Sequence, residues 1–174
     1  MPEKLVRDHI IDIIKKNGEE CRYRIELDED KYRRLLDLKF SEEVEELALV
    51  YGKEGEIEEF ADVIEVVRAF AKHCPFTFHC VLALAGSEAD KTSVYGQHYA
   101  DIHREWLFNR LRDQVRHLPC LPTAVLHTWA TSVLSTLHLM LRHRGIDIES
   151  VLDCMAAKKA ERGGFTERVV LITE

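Results

Sequence analysis

The sequence predicts an all-α protein, built as an antiparallel helical bundle with a short extended tail at its C-terminus. Gly and Pro are scarce, at 8 and 4 among 174 residues, which leaves little of the chain for long loops. Apolar residues recur with helical spacing in most segments, and these segments end at turn residues. The residues after Gly163-Gly164 are instead β-prone and favour a short extended piece.

The first half of the chain is predicted to contain three helices and one extended piece. Asn17-Gly18 can end the first helix, and either Asp28 or Asp30 can cap the start of the second. Only Gly52 to Gly55 separate the second helix from the third, so these two helices must form an antiparallel hairpin. The expected segments are a helix over 3–17, an extended piece over 21–27, and helices over about 28–51 and 56–72.

The second half of the chain begins with a change of composition. Cys74-Pro75 ends the third helix, because the residue before a proline avoids the helical conformation. Residues 74–144 are expected to form a helical insertion in a core made of residues 1–73 and 145–174. Helices are predicted over 97–117, 123–144 and about 147–161, the last with Asp147 as a candidate cap.

Composition and charge argue against several classes of protein. The formal net charge is −7, whereas a surface that binds a nucleic-acid polymer needs an excess of Lys and Arg. No apolar run approaches the roughly 18 residues of a membrane span, and the N-terminus lacks the apolar core of a secretory signal. The five Cys form no CxxC pair, which is typical of reduced thiols in a cytoplasmic protein. His73-Cys74 and His79-Cys80 match no standard zinc-finger spacing, so packing and surface roles are expected for them.

Two acidic pairs flank the short turn of the predicted hairpin. Glu43 and Glu46 precede the turn, and Glu59 and Asp62 follow it. Residues three apart share one face of a helix, so each pair projects in one direction. The pairs begin roughly 9 and 6 Å from the turn at the helical rise of about 1.5 Å per residue, which places them nearly level.

The position of Glu59 is the most informative of these. On a helical wheel it lies within the apolar arc of the third helix, in line with Val63 and Phe70. A carboxylate on a core-facing arc costs several kcal/mol unless something pairs with it, and converging carboxylates also raise one another's pKa. A hard divalent cation such as Mg²⁺ resolves both problems because it takes oxygen ligands. The polar side of the same helix is expected to carry Glu58, Glu65 and Lys72.

A plainer interpretation of the acidic residues remains open at this point. Glu is a good helix former, and a run such as Glu42 to Leu47 is by itself typical of a solvated helix face.

The order of the acidic residues resembles the signature of a known family. Glu42, Glu43 and Glu46 on one helix, followed by Glu59 and Asp62 on the next, are similar to the EExxE and ExxD pair of the all-α NTP pyrophosphohydrolases. This family includes MazG-like proteins, dimeric dUTPases and phosphoribosyl-ATP pyrophosphohydrolase. Lys4 to Asp8 and Lys158 to Phe165 resemble a house-cleaning branch close to the last of these, and the resemblance covers about residues 3–73 and 145–172.

The resemblance implies a helical bundle of the MazG-like type and a reaction. The reaction is Mg²⁺-dependent hydrolysis of a nucleoside triphosphate, canonical or modified, to the monophosphate and pyrophosphate, with Mn²⁺ able to substitute. It also implies a homo-oligomer, with a dimer expected first. By position, the resemblance implies Glu43, Glu46, Glu59 and Asp62 as metal ligands and Glu42 as an accessory acid that orients or deprotonates the attacking water.

Phosphate groups also need cationic partners, and Arg is best suited to contact them. The two flanking segments supply the candidates. Lys4, Arg7, Lys159 and Arg162 are favoured for substrate binding, with Lys158 and Arg168 as further candidates.

Residues 74–144 are the departure from the resembled branch, and they leave two alternatives open. The chain could be a catalytically silent helical module that binds a nucleotide or a protein partner. It could also be phosphoribosyl-ATP pyrophosphohydrolase of histidine synthesis, which would prefer phosphoribosyl-ATP to free nucleoside triphosphates.

Overall fold

A computed structural model describes residues 3–72, 78–80, 82–83, 85–87, 104–116 and 125–173, and this part of the chain is mostly helical, as the sequence predicts. A small antiparallel sheet joins the two ends of the chain. The helices and strands are β1 (Glu3–Leu5), α1 (Ile10–Lys16), β2 (Arg22–Ile25), α2 (Glu29–Val50), α3 (Glu56–Ala71), α4 (Arg104–Arg116), α5 (Leu126–Arg144), α6 (Ile148–Arg162) and β3 (Val169–Ile172).

The helices α2 and α3 form the predicted hairpin, which is the central packing unit of the fold. The side chain of Asp28 accepts a hydrogen bond from the Lys31 N–H at 2.9 Å and so caps α2, as expected. Gly52 and Gly55 take φ of 81° and 89° in the connecting turn, a left-handed conformation that suits glycine. The bounds of both helices agree with the prediction to within a residue or two.

The sheet corrects the prediction for the N-terminus. A helix over 3–17 is wrong for its first turns, because Glu3–Leu5 is a strand and α1 begins only at Ile10. The C-terminal tail is likewise not an isolated extended piece. It is the middle strand of the order β1-β3-β2, with Leu5 opposite Val170 and Ile25 opposite Val169. The pairing of distant segments decides the conformation here, and local apolar spacing does not report it.

The helices of the predicted insertion cover the apolar face of the hairpin. The helix α5 packs on α3, and α4 packs on both α2 and α5. The Trp129 ring of α5 meets Phe40 of α2 and Phe70 of α3 edge-on, with centroid distances of 5.4 and 5.1 Å. The two predicted helices over 97–117 and 123–144 correspond to α4 and α5, and their remaining residues, apart from Val125 just before α5, lie outside the described ranges.

The helix α6 runs along α3 on another side and brings the C-terminal motif to the acidic residues. Asp147 caps α6 by accepting a hydrogen bond from the Glu149 N–H at 3.3 Å, and Gly163 follows its last residue. No helix in the described part of the chain is both long and apolar enough to cross a membrane. Of the two His-Cys pairs, His73-Cys74 lies outside the described residues, and His79 and Cys80 are both exposed.

Candidate metal centre

A cavity of about 420 Å³ lies where β1, the hairpin and α6 meet. Eleven of its fifteen lining residues are charged, an unusual share for a space between packed helices, and the other four are Leu5, Val6, Ile10 and Leu171. The lining carboxylates come from α2 and α3, and the cations come mostly from the two chain ends. The carboxylates are Glu42, Glu43, Glu46, Glu58, Glu59 and Asp62, and the cations are Lys4, Arg7, Lys39, Lys158 and Arg162.

The hairpin brings the two acidic pairs together, as their spacing predicts. One carboxylate oxygen each from Glu43, Glu59 and Asp62 lies within 4.8 Å of the others. Glu42, Glu43 and Glu46 form a second such group with the same limit. Glu43 belongs to both groups and therefore sits at the centre of the cluster.

Two oxygens of this cluster are buried and unsatisfied. Glu43 is only 4% exposed, and its Oε2 has no hydrogen-bond partner among the described residues. The Oε2 atom of Glu59 is buried in the same state. A buried carboxylate oxygen without a partner costs free energy, so native structures rarely keep one that no ligand meets.

The pKa values of Glu43 and Glu59 are consistent with carboxylates that lack sufficient positive charge nearby. Burial, with help from Asp62 and Glu46, outweighs the nearby Lys39 ammonium and raises the pKa of Glu43 to about 7. Burial also raises the pKa of Glu59, and the negative charge of Asp62 adds to the shift. Glu43 and Glu59 therefore bind protons more tightly than ordinary carboxylates do, and a divalent cation would compete for the same oxygens.

The donor set fits a hard divalent cation. Every candidate ligand atom is a carboxylate oxygen, which is the kind of ligand that hard divalent cations such as Mg²⁺, Mn²⁺ and Ca²⁺ take. Exposed acidic groups are common without a metal, but the two buried oxygens of Glu43 and Glu59 are not explained by solvation.

The cations of the cavity already contact some of the carboxylates. Lys4 and Lys39 both reach Glu42 Oε1, with Nζ–Oε1 distances of 2.6 and 3.0 Å, and Lys39 Nζ also lies 2.5 Å from Glu43 Oε1. Although burial raises the pKa of Glu42, the two ammonium groups outweigh it and lower that pKa. Glu42 is thus held ionised at the rim of the cavity.

Asp62 has a cation on each of its two carboxylate oxygens. The Arg7 guanidinium donates to its Oδ1, and the Lys158 ammonium lies 2.5 Å from its Oδ2. Both oxygens of Asp62 therefore face a buried cation, in contrast to those of Glu43 and Glu59.

The predicted substrate-binding residues divide into two groups. Lys4, Arg7 and Arg162 line the cavity. Lys159 does not line it and is exposed, whereas its neighbour Lys158 lines it and is 8% exposed. Consecutive residues of a helix point about 100° apart, so the packing of α6 on α3 decides which lysine faces the cavity. Arg168 lies elsewhere, with its Nη2 2.6 Å from Glu29 Oε2 and its guanidinium 4.5 Å from the Tyr32 ring centroid.

The sequence-based prediction missed or misplaced three features of this region. Lys39 is one, although its position four residues before Glu43 on α2 could have revealed the contact. Glu65 was expected on the polar side of α3, and this was wrong, because the residue is 0% exposed. Arg68, one helical turn further on, makes the burial possible by donating to both Glu65 oxygens at 2.7 and 2.5 Å. Glu56 is buried too, against Arg144 of α5.

The turn after α6 locks the chain ends beside the cavity. The Asp8 carboxylate accepts backbone hydrogen bonds from Gly164, Thr166 and Glu167 at 3.2, 3.1 and 2.8 Å. Gly163 has φ of 78°, and a Cβ there would lie 2.8 Å from the Asp8 Cβ. Only glycine meets both demands, so Gly163 ends α6 and also allows Asp8 and Arg7 to approach closely.

Comparison with known proteins gives no match, whether to a family model, a curated protein or a solved structure. The resemblance to the all-α pyrophosphohydrolases rests therefore on the motif residues of this chain.

Proposed function

We propose that this chain is an NTP pyrophosphohydrolase of the all-α, MazG-like type, which hydrolyses a nucleoside triphosphate to the monophosphate and pyrophosphate. The observation that carries the proposal is the pair of buried oxygens, Glu43 Oε2 and Glu59 Oε2, that lack a partner among the described residues. They lie in an all-carboxylate cluster whose order along the chain is that of the resembled family. A site that leaves charge uncompensated inside a protein is best explained by a cation that it binds.

The metal ligands are Glu43, Glu46, Glu59 and Asp62, which supply oxygen only. When bound, Mg²⁺ or Mn²⁺ supplies positive charge that polarises the phosphoryl oxygens and offsets the charge on the leaving pyrophosphate.

Glu42 accepts the proton of the attacking water. Lys4 and Lys39 keep its carboxylate ionised at the rim of the cavity, so it can accept a hydrogen bond from water and then a proton. The water oxygen joins the α phosphorus, the bond between that phosphorus and the bridging oxygen breaks, and the bridging oxygen departs as part of pyrophosphate. The proton goes to Glu42, and pyrophosphate leaves.

The phosphate groups of the substrate meet the cations of α6 and β1. Arg162 is the most available of them, since its side chain is 44% exposed and its Nε lies 3.5 Å from Glu161 Oε2, a loose contact. Its guanidinium can contact a phosphate through two nitrogens. Lys4 and Lys158 line the same cavity, where they contact Glu42 and Asp62, and they add positive charge for the phosphate groups.

One observation favours a second candidate, a helical module that binds nucleotide without turnover. Both oxygens of Asp62 are held by cations, as they would be if this carboxylate were structural. In that case the chain would bind a nucleotide through its lysines and arginines but would not release pyrophosphate.

The experiment that separates these functions measures pyrophosphate release from a panel of canonical and modified nucleoside triphosphates and phosphoribosyl-ATP, with and without Mg²⁺. We expect Mg²⁺-dependent release that Glu59→Gln lowers by about 100-fold or more. Glu45→Gln is the matched control, because Glu45 makes the same change of charge on the opposite side of α2, where it pairs with Arg112 at 2.6 Å. No release with any nucleotide would exclude the proposed reaction, and nucleotide binding in the same samples would favour the silent module. Preference for phosphoribosyl-ATP would assign the chain to histidine synthesis.

A further inference from the structure

The guanidinium of Arg7 joins three parts of the chain that are distant in sequence. Its Nη2 donates to Asp62 Oδ1 on α3, and its Nη1 donates to the Gly163 carbonyl oxygen at 3.2 Å. Its Cζ also lies 5.6 Å from the centroid of the Phe165 ring. Arg7 is 8% exposed. Two nitrogens of the guanidinium donate hydrogen bonds and its flat face lies against an aromatic ring, so its orientation is fixed.

The second cation on Asp62 is held differently. Lys158 Nζ lies 2.5 Å from Asp62 Oδ2, but it also lies 3.2 Å from the Glu58 carbonyl oxygen and 3.8 Å from Glu58 Oε2. A lysine ammonium is a point charge on a flexible stem, whereas arginine has a rigid fork. Lys158 can therefore leave Asp62 and keep a polar partner on Glu58, and Arg7 cannot make a comparable exchange.

We propose that Arg7 is a positioning residue, which holds Asp62 by Oδ1 so that Oδ2 faces the metal, and that Lys158 yields Oδ2 when the metal binds. This inference rests on the proposed function. It also gives Arg7 a role other than the phosphate contact that the sequence suggests. A residue that hydrogen-bonds to a metal-ligating carboxylate fixes the orientation of that carboxylate and strengthens metal binding.

The same contacts connect the metal centre to the chain ends. Arg7 stands between β1 and Asp8, and Asp8 accepts three backbone hydrogen bonds from the turn after α6. Gly163, which receives the second hydrogen bond of Arg7, belongs to this turn. The carboxylate on α3 is thus oriented by the first and last segments of the chain, and the hairpin alone would not fix it.

The test is the affinity for Mn²⁺ in the absence of nucleotide, measured by electron paramagnetic resonance on the full chain. We expect Arg7→Lys to weaken Mn²⁺ binding about 10-fold, because one ammonium cannot hold both Asp62 and the Gly163 carbonyl. Lys158→Gln should instead tighten binding about threefold, because a competing charge is removed from Oδ2. The control is Arg24→Lys, an arginine on β2 that contacts Glu3 and Glu26 outside the cavity and should leave the affinity unchanged.

The direction of each change distinguishes the roles. If Arg7 acted only through its positive charge or only on phosphate, Arg7→Lys would bind Mn²⁺ as well as the wild type, and the inference would be overturned. The zero-field splitting of bound Mn²⁺ should also change in Arg7→Lys but not in Arg24→Lys, since it reports the ligand arrangement. Absence of Mn²⁺ binding by the wild type would overturn the proposed function and this inference together, whereas normal binding by Arg7→Lys would overturn the inference alone.

A second variant covers the outcome in which Arg7→Lys does not fold. Phe165→Leu keeps every charge and an apolar side chain but removes the ring beneath the guanidinium. We expect it to weaken Mn²⁺ binding about threefold, the effect of losing roughly one cation–π contact. Unchanged affinity in Phe165→Leu, with a cooperative thermal transition, would also count against the positioning role.

Discussion

Helix α3 and its partner α2 carry buried carboxylates of two kinds, which differ in what their oxygens contact. Glu65 forms an ion pair with Arg68, and Glu56 forms one with Arg144. Glu43 and Glu59 each keep a buried oxygen without a partner in the described part of the chain. The buried glutamates that support the fold are therefore paired with an arginine, whereas two of the glutamates that line the cavity each keep one buried oxygen that no described residue contacts, although Lys39 holds the other oxygen of Glu43.

This difference identifies the site more reliably than acidity does. A stretch rich in glutamate is ordinary on a helix, and a buried glutamate with an arginine is ordinary in a core. Neither pattern places an excess of negative charge in the interior. Such an excess lowers the stability of the metal-free protein, and a bound cation relieves it. The distinction can be tested at Glu65, which is paired with Arg68, and at Glu43 and Glu59, which each keep one buried oxygen without a described partner.

The largest effect is expected at the compensated residue Glu65. Replacing Arg68 by Met leaves the Glu65 carboxylate, 1% exposed, without its partner. We expect the free energy of unfolding in urea to fall by about 3 kcal/mol, the usual result of breaking a buried ion pair from one side. The double replacement with Glu65→Met should recover most of this loss, because no buried charge then remains. A loss below about 1 kcal/mol in Arg68→Met would show that water reaches Glu65.

The pH dependence of stability should reveal the uncompensated Glu43. Its pKa in the folded chain is about 7, against an ordinary value of 4.5. Between these two pH values the folded state binds more protons than the unfolded state, so stability falls as pH rises from about 4.5 to about 7. We expect the free energy of unfolding of the metal-free protein to decrease by an amount on the order of 2 kcal/mol over this window. The measurement is urea unfolding in the presence of a chelator at a series of pH values.

The control for this pH profile is Glu43→Gln, which cannot ionise and should make the decrease smaller. Part of the decrease should remain, because burial also raises the pKa of Asp37 to about 6 and raises the pKa of Glu59. Mg²⁺ should oppose the decrease at the upper end of the window, because metal binding needs the ionised carboxylate. A wild-type profile that rises between pH 4.5 and 7 would contradict the assignment, since it would mean that Lys39 compensates Glu43 fully.

The sequence predicts the hairpin and its acidic cluster because both depend on local rules. Helical periodicity and a turn bounded by Gly52 and Gly55 fix which residues share a face, and they need no information from elsewhere. The errors all involve distant contacts. Glu3–Leu5 is a strand because β3 pairs with it from the other end of the chain. Likewise, Lys158 faces the cavity and Lys159 does not because α6 packs on α3 in one rotational setting.

The burial of Glu65 shows the same limit on a smaller scale. Its helical position predicts exposure, but the turn after α6 covers it, with the ideal Cβ position of Gly164 lying 3.0 Å from Glu65 Oε1. Arg68 then satisfies the carboxylate. Periodicity along α3 cannot report a contact that a distant glycine makes possible.

The smallest effect is expected at Glu59, and its sign is the most informative. Glu59→Gln removes a charge whose pKa is raised by burial and by Asp62, and it leaves the helix otherwise unchanged. We expect the metal-free protein to gain about 1 kcal/mol in stability, which corresponds to roughly 2–4 °C in melting temperature for a chain of this size. Added Mg²⁺ should raise the melting temperature of the wild type but not that of the variant.

The matched control for this variant is Glu45→Gln on α2, because Glu45 is exposed and paired with Arg112. It should change stability by less than about 0.5 kcal/mol and should keep the response to Mg²⁺. A loss of stability in Glu59→Gln would mean that a partner compensates this carboxylate, as Arg68 compensates Glu65, and the contrast between the two kinds of buried glutamate would fail. A gain in stability together with the loss of the Mg²⁺ response would show that the chain keeps an unfavourable charge at Glu59 because the cation requires it.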